Sequence, residues 1–338
     1  MKIGLRTIKS GIAVALALMV VQILGRDSVL FVAIGALIGM QPTVSDSWTV
    51  GRNRILGTFA GSIFGLVTAM WLPGHFLLAG MGVVLLIMAM NRLKIPEGIT
   101  ISCVVFISIF MNTENAVVPL AMNRLVDTII GIAIALLVNY FILPPKYDRR
   151  AMVEMRKDMY QILSCQNRIL GRLLGQESVS VEELDSRIET LMNELNESKK
   201  LAEMQEKEEK LNVYGQVLCK ELNLVLRITS DMYQHLKNLF GLLEKGLSPN
   251  AIQQVKPELS ALYEKLTLEE TQLQAGNLKQ QETLRELIAD VALLKQHVKS
   301  ADVSRELSAD EAVTLMVMVY NIGEITSKME MITSQRYT

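Results

Sequence analysis

The 338-residue chain is half hydrophobic, one-fifth charged and of formal net charge -1, averages that by themselves fit a soluble protein. Divided at Lys146 they do not: residues 1–146 hold ten Lys and Arg against five Asp and Glu, net +5, and residues 147–338 hold 24 against 30, net -6. A second part of that sign excludes a nucleic-acid role, because phosphate binding needs a basic patch. Cys103, Cys165 and Cys219 form no CxxC pair, and His75, His235 and His297 lie apart. These spacings exclude a disulfide scaffold and a zinc site, and no phosphate-binding or HExxH motif is present, so no cofactor, metal or enzymatic activity is expected.

The first part reads as membrane helices. A bilayer core of ~30 Å takes roughly 17–25 apolar residues per helix. Uncharged runs occur at Ser10–Gly25, Ser28–Ser45, Ile55–Asn91, Gly98–Thr113 and Thr128–Pro145. The first is long for a signal peptide and is followed directly by more apolar sequence, so it is expected to stay as a span. The third is too long for one span, and Pro73-Gly74 divides it. Six short spans follow, near 8–24, 28–42, 54–72, 76–91, 97–113 and 124–143, with Trp48 and Trp71 at or near their ends. With the N-terminus inside, inner segments carry ten Lys and Arg and outer loops only Arg26 and Arg124. The positive-inside rule therefore puts both termini in the cytoplasm.

Within these spans a pattern recurs after about 70 residues. Asn53-Arg54-Ile55-Leu56-Gly57-Thr58-x-x-Gly61 is echoed by Asn123-Arg124-Leu125-Val126-Asp127-Thr128-x-x-Gly131. Leu72-Pro73 is echoed by Leu143-Pro144, and Met40-Gln41 by Met111-Asn112. Three spans per copy would set the second copy upside down, an inverted 3+3 repeat of the kind found in secondary transporters, with the substrate site between the halves. Small residues at helical spacing (Gly57, Gly61, Gly65; Gly35, Gly39; Gly131, Ala135) are expected to let helix backbones approach closely, or to line a pore.

The polar residues each leave two readings. Arg54 and Arg124 are interfacial anchors or cations that gather an anion. Asp127 either pairs with Arg124 three residues earlier or couples transport to protons. Thr58 and Thr128 bond their own preceding turn or a substrate. The polar segments around Gln41 and Asn112 are gates or plain loops.

The second part, 146–338, shows heptad-like apolar spacing at Met152 to Ile162, Val181 to Leu195, Leu222 to Leu243, Leu284 to Val298 and Leu315 to Met329. Breaks near Gly175, Gly246 to Pro249, Gly276 and Ser300 to Ser308 divide it into five or six helices of an antiparallel bundle. The charge run Glu203 to Lys210 is expected to be a solvated helix face. The fold expected is thus an all-α membrane protein, a transmembrane domain over 1–145 followed by a cytoplasmic helical bundle.

The Arg54-x-x-Gly57-Thr58-x-x-Gly61-x-x-x-Gly65 span resembles the aromatic acid exporter family, as do the Arg124-x-x-Asp127-Thr128-x-x-Gly131 span ending Leu143-Pro144-Pro145 and the early Gln41-Pro42. Within that family the short bacterial branch, with six spans and a C-terminal helical domain, is the most similar. The resemblance implies a bacterial plasma-membrane protein that exports organic, including aromatic, carboxylates as a homodimer. On the residues themselves, a proton-driven exporter, an anion channel and a membrane-tethered sensor or scaffold stay open.

Overall fold

In the computed structural model of the chain, residues 4–26, 29–70, 74–112, 117–142, 147–210, 219–274, 281–300 and 306–334 are described. They form twelve α-helices and one 3-10 turn, with no strand among the described residues, so the protein is all-α. Trp71, Pro73, Glu114, Leu143 to Pro145 and Gly276 lie outside the described residues. The chain packs as two compact units. One is Met1–Lys146 together with Glu206–Gln216, and the other is Tyr147–Gln205 with Val217–Thr338.

The first unit holds α1 (Leu5–Ile23), α2 (Val29–Gly39), α3 (Val44–Ala69), α4 (Phe76–Arg92), a 3-10 turn (Pro96–Gly98), α5 (Ile99–Phe110) and α6 (Val117–Phe141). Among the described residues, α1 and α6 are each long and apolar enough to cross a membrane, while α2, α4 and α5 are apolar but shorter. Large apolar side chains such as Ile23, Leu30, Phe59, Met81, Met88 and Phe141 point outward. A belt of that kind suits a hydrocarbon solvent and not water.

Two helices begin earlier than the apolar runs suggest. α3 starts at Val44 because Thr43 caps it, its hydroxyl accepting from the Asp46 amide at 2.8 Å. Asp46 also places negative charge in the first turn, where the helix dipole favours it. The segment expected as a polar loop is therefore a helix start. α6 starts at Val117, with Pro119 in its first turn, where a missing amide hydrogen costs no helix bond.

Close packing follows from the glycines. α3 lies on α5 and the 3-10 turn through Gly57, Gly61 and Gly65, and α2 lies on α6 through Gly35 and Gly39 against Gly131 and Ala135. α3 and α6 cross, and α1 and α4 flank the two pairs.

The second unit comprises α7 (Tyr147–Leu173), most of α8 (Val181–Lys210), α9 (Cys219–Lys245), α10 (Pro249–Gln274), α11 (Gln281–Val298) and α12 (Ala309–Ser334). Helix starts are capped by Ser180, whose hydroxyl accepts from the Glu183 amide, and by a reciprocal capping box between Ser308 and Glu311. Gly175 and Gly246 take positive φ at the ends of α7 and α9, the conformation that ends helices. Cross-links run antiparallel: Lys157–Glu194 and Arg168–Glu183 join α7 to α8, Asn167–Thr267 ties α10 to α7, and Tyr263–Glu177 ties α10 to the segment between α7 and α8. The heptad positions Leu184, Ile188, Leu191, Leu284, Leu287, Leu315 and Ile322 all enter one continuous core.

That core holds buried acids. Asp158 is fully buried; one carboxylate oxygen accepts from the Ser198 hydroxyl and the other has no partner. Burial pushes its carboxyl from 3.8 up to about 6, helped by Glu194 and Glu154 and opposed by Ser198 and Lys157. The folded form therefore holds this proton to higher pH than the unfolded form. The stabilisation is complete below about pH 4 and is lost as pH rises through about 6. Amide exchange in α7 and α8 of the full chain, corrected for intrinsic rates, is expected to quicken over that window. Asp158→Asn is expected to remove the dependence near pH 6. An unchanged pH profile in Asp158→Asn would refute this assignment.

Candidate functional site

The crossing of α3 and α6 brings Thr58 and Thr128 together. Both are buried, and their hydroxyl oxygens lie 3.3 Å apart. Thr128 also donates to the Arg124 carbonyl one turn earlier, at 2.8 Å. The residues around them follow a pattern. A methyl added to Gly61 would strike the Ser102 carbonyl, and one added to Gly131 would strike the Val32 carbonyl at 2.5 Å. Gly65 lies on Ile109, and Ala135 lies on Gly39. Each of the two Gly contacts corresponds to the other after a shift of 70 in both partners, as do the Gly65 and Ala135 contacts.

Arg54 lies on α3 one turn before Thr58 and is only 5% exposed. Its Nε is buried without a hydrogen-bond partner, and no ion pair engages it among the described residues. Arg124, its counterpart on α6, stacks its guanidinium over the Phe31 ring at 3.6 Å, a cation–π contact. Asp127 is fully buried, and the ion pair with Arg124 does not form. Its Oδ1 instead accepts from Arg26 Nε at 3.0 Å, and its Oδ2 has no partner. Arg26 also donates to Asn123 Oδ1 at 3.1 Å. The guanidinium just beyond α1 thus spans two acceptors on α6, while Arg124 is drawn to an aromatic face.

A second polar cluster lies about 18 Å further along α6, twelve residues beyond Asp127 at 1.5 Å per residue. Lys9 Nζ donates to Asn139 Oδ1 at 2.9 Å, and Asn139 Nδ2 donates to Ser47 Oγ at 2.9 Å and to the Gln41 carbonyl at 3.0 Å. The Gln41 amide donates to Ser47 Oγ, so Gln41 enters this network through its backbone. Asn112 follows α5 at the other end of α3, where the Gly74 amide donates to the Phe110 carbonyl. Gln41 and Asn112 thus stand near opposite ends of that helix.

Glu208 completes the second cluster. It is 1% exposed within the first unit, and the Val44 amide donates to its Oε1. Lys207 beside it pairs with Asp46 at 3.0 Å. The expected solvated face at Glu203 to Lys210 therefore does not hold at its end. Burial and the nearby Asp46 push the Glu208 carboxyl up, while the Val44 amide and Lys9 hold it down.

Sequence reading missed Arg26, Lys9, Asn139 and Glu208. The capping signature Thr43-x-x-Asp46 was available and marks the α3 start. Lys9, the charged residue deepest in the apolar helix α1, was a further signal. Among the described residues no group of three or more His, Cys, Asp or Glu is placed to hold a metal.

Comparison with known proteins bears on the first unit. Residues 1–142 match the family model described as aromatic acid exporter family member 1. UPF0421 protein YgaE of Bacillus subtilis is 29% identical over 150 residues, 44% of this chain and 42% of the relative. A UPF0421 protein of Staphylococcus epidermidis is 27% identical over 201 residues, 56% of this chain and 61% of the relative. One of Bacillus cereus is 30% identical over 145 residues, 43% and 41%. The chain thus spans about two-fifths to three-fifths of the length of these curated relatives.

Proposed function

We propose that this chain is a member of the aromatic acid exporter family and carries organic carboxylates, aromatic ones among them, out of the cell at the expense of the proton motive force. The observation that carries the reading is Arg54. It is a buried cation about 15 Å along α3, with an unbonded donor and no carboxylate partner among the described residues. A buried guanidinium without an anion is costly, and a carboxylate supplies the missing charge and acceptor in one group.

The proposed architecture is six spans in two inverted halves, α1 to α3 and α4 to α6, in the plasma membrane with both termini cytoplasmic. The charge distribution of the connecting segments supports this orientation. The shift of 70 that relates the Gly61–Ser102 contact to the Gly131–Val32 contact supports the repeat, and so does the meeting of Thr58 with Thr128. The substrate path then runs along the α3–α6 crossing, between the Arg26–Asp127 cluster and the Lys9–Asn139 cluster, with Arg54 and the two threonines between them. The working unit is a homodimer, with lipid around it.

Uptake of radiolabelled aromatic carboxylates into inverted vesicles tests this. A charge-assisted hydrogen bond contributes about 1.5–3 kcal/mol, so Arg54→Ala is expected to lower uptake at limiting substrate about tenfold or more. Arg54→Lys, which keeps the charge and loses the fork, is expected to fall in between. Equal uptake by Arg54→Ala and the parent chain would remove Arg54 from the site. Absence of carboxylate flux in folded protein would overturn the exporter reading.

A further inference from the structure

Glu208 is a carboxylate already bound in the first unit, and what binds it suits a carboxylate from elsewhere. Its Oε1 is held by the first amide of α3, Val44. That amide is one of the unpaired donors at a helix start, where the dipole favours negative charge. Lys9, 6% exposed, supplies the positive charge, and its ammonium acts favourably on Glu208 through space. Asn139 engages Lys9, and an ammonium has three donors. Thr43 and Ser47, beside Val44 at the start of α3, are both fully buried.

The fit of Glu208 itself is incomplete. Its Oε2 is buried with no hydrogen-bond partner, and Asp46 repels its charge. Lys207 offsets that repulsion by pairing with Asp46. A purely structural clamp has no need of an acid here, because burying a charged group with one oxygen unbonded is costly. An acid that must be displaced fits the arrangement better, since weak satisfaction makes it exchangeable.

We propose that Lys9 and the amide end of α3 at Val44 form a carboxylate-binding site, and that Glu208 occupies it as a tethered competitor of the transported carboxylate. The proposal rests on the exporter reading for its ligand class. The end of α8 thereby acts as an internal brake, released when free carboxylate outcompetes Glu208.

Equilibrium binding of radiolabelled benzoate to the purified full-length chain separates the outcomes. A competitor that fills the site nine-tenths of the time lowers apparent affinity about tenfold. Glu208→Ala is therefore expected to bind benzoate about tenfold more tightly than the parent chain. Glu208→Gln, which keeps the shape and removes the charge, is expected to shift the same way and guards against misfolding of the alanine variant. Adding Lys9→Met to Glu208→Gln is expected to cancel the gain. Tighter benzoate binding in both Glu208 variants without flux in any vesicle would support the carboxylate site and its occupation by Glu208 and overturn the exporter. Arg54-dependent flux with identical benzoate affinity across the Glu208 variants would support the exporter and overturn the brake. Absence of saturable benzoate binding in Glu208→Ala and Glu208→Gln would also overturn it.

Discussion

Leucine at Gly61 or at Gly131 is expected to destabilise the first unit strongly, and to do so to the same extent at either position. The Cβ of a side chain on Gly61 would overlap the Ser102 carbonyl and crowd its Cα, and one on Gly131 would meet the Val32 carbonyl, Gly35 Cα and the Ala36 amide within 3.0 Å. All of these are backbone atoms, so no rotamer change relieves the overlap and the helices must separate. Adding methylenes to a packed core typically costs 1–3 kcal/mol. Here the cost is expected to exceed about 3 kcal/mol, because membrane helices associate through close contact and have no hydrophobic drive to bring them back. At roughly 2–4 °C per kcal/mol for a unit of this size, the loss is about 10 °C. Heating followed by size-exclusion chromatography in detergent measures it. Gly11→Leu and Gly80→Leu, where nothing lies within 4 Å, are the controls expected to leave the profile unchanged. A tolerated Gly61→Leu would contradict the packing, and unequal losses at Gly61 and Gly131 would count against the equivalence of the two halves.

Those glycines were legible in the sequence because spacing alone carries them. Three and four residues mark one helix face, whatever the neighbours turn out to be. The same holds for the second unit, where Leu184, Ile188, Leu191, Leu284 and Leu287 repeat at heptad spacing and all enter the core. Contacts that depend on which face meets which were not legible. Asp127 and Arg124 share a helix face, so a local pair was the economical reading. Arg26, about a hundred positions away, reaches Asp127 because α1 ends beside α6. Glu208 lies in a run of charges whose composition says solvent, and it is buried only because the end of that run belongs to the first unit. The start of α3 failed differently. Hydropathy placed it near residue 54, whereas Thr43 and Asp46 fix it by capping. Hydropathy locates where a helix enters oil and capping locates where the helix begins; in α3 these are ten residues apart.

Asp127 carries the second large effect. Asp127 is a fully buried carboxylate with one oxygen on Arg26 and the other without a hydrogen-bond partner, and intramembrane acids often mark proton relays. If one proton is exchanged per anion, a pH difference of one unit is worth about 1.4 kcal/mol, or about tenfold accumulation. The parent chain in vesicles with an acidic lumen is expected to approach that ratio. Asp127→Asn is expected to hold it near one, whether flux stops or becomes passive. Removing the acid also leaves Arg26 without its partner, so loss of function in that variant alone would not separate coupling from structure. Arg26→Gln combined with Asp127→Asn does separate them. The double variant has no unpaired charge at this position, and a structural role would be restored in it. Coupling requires the carboxyl itself, so the double variant is expected to accumulate no more than Asp127→Asn. Recovery of the tenfold ratio would make Asp127 a positioning residue for Arg26 and would move proton coupling elsewhere in the chain. Passive flux that survives at the full parental rate in Asp127→Asn, with no accumulation by the parent under any imposed pH difference, would identify a channel.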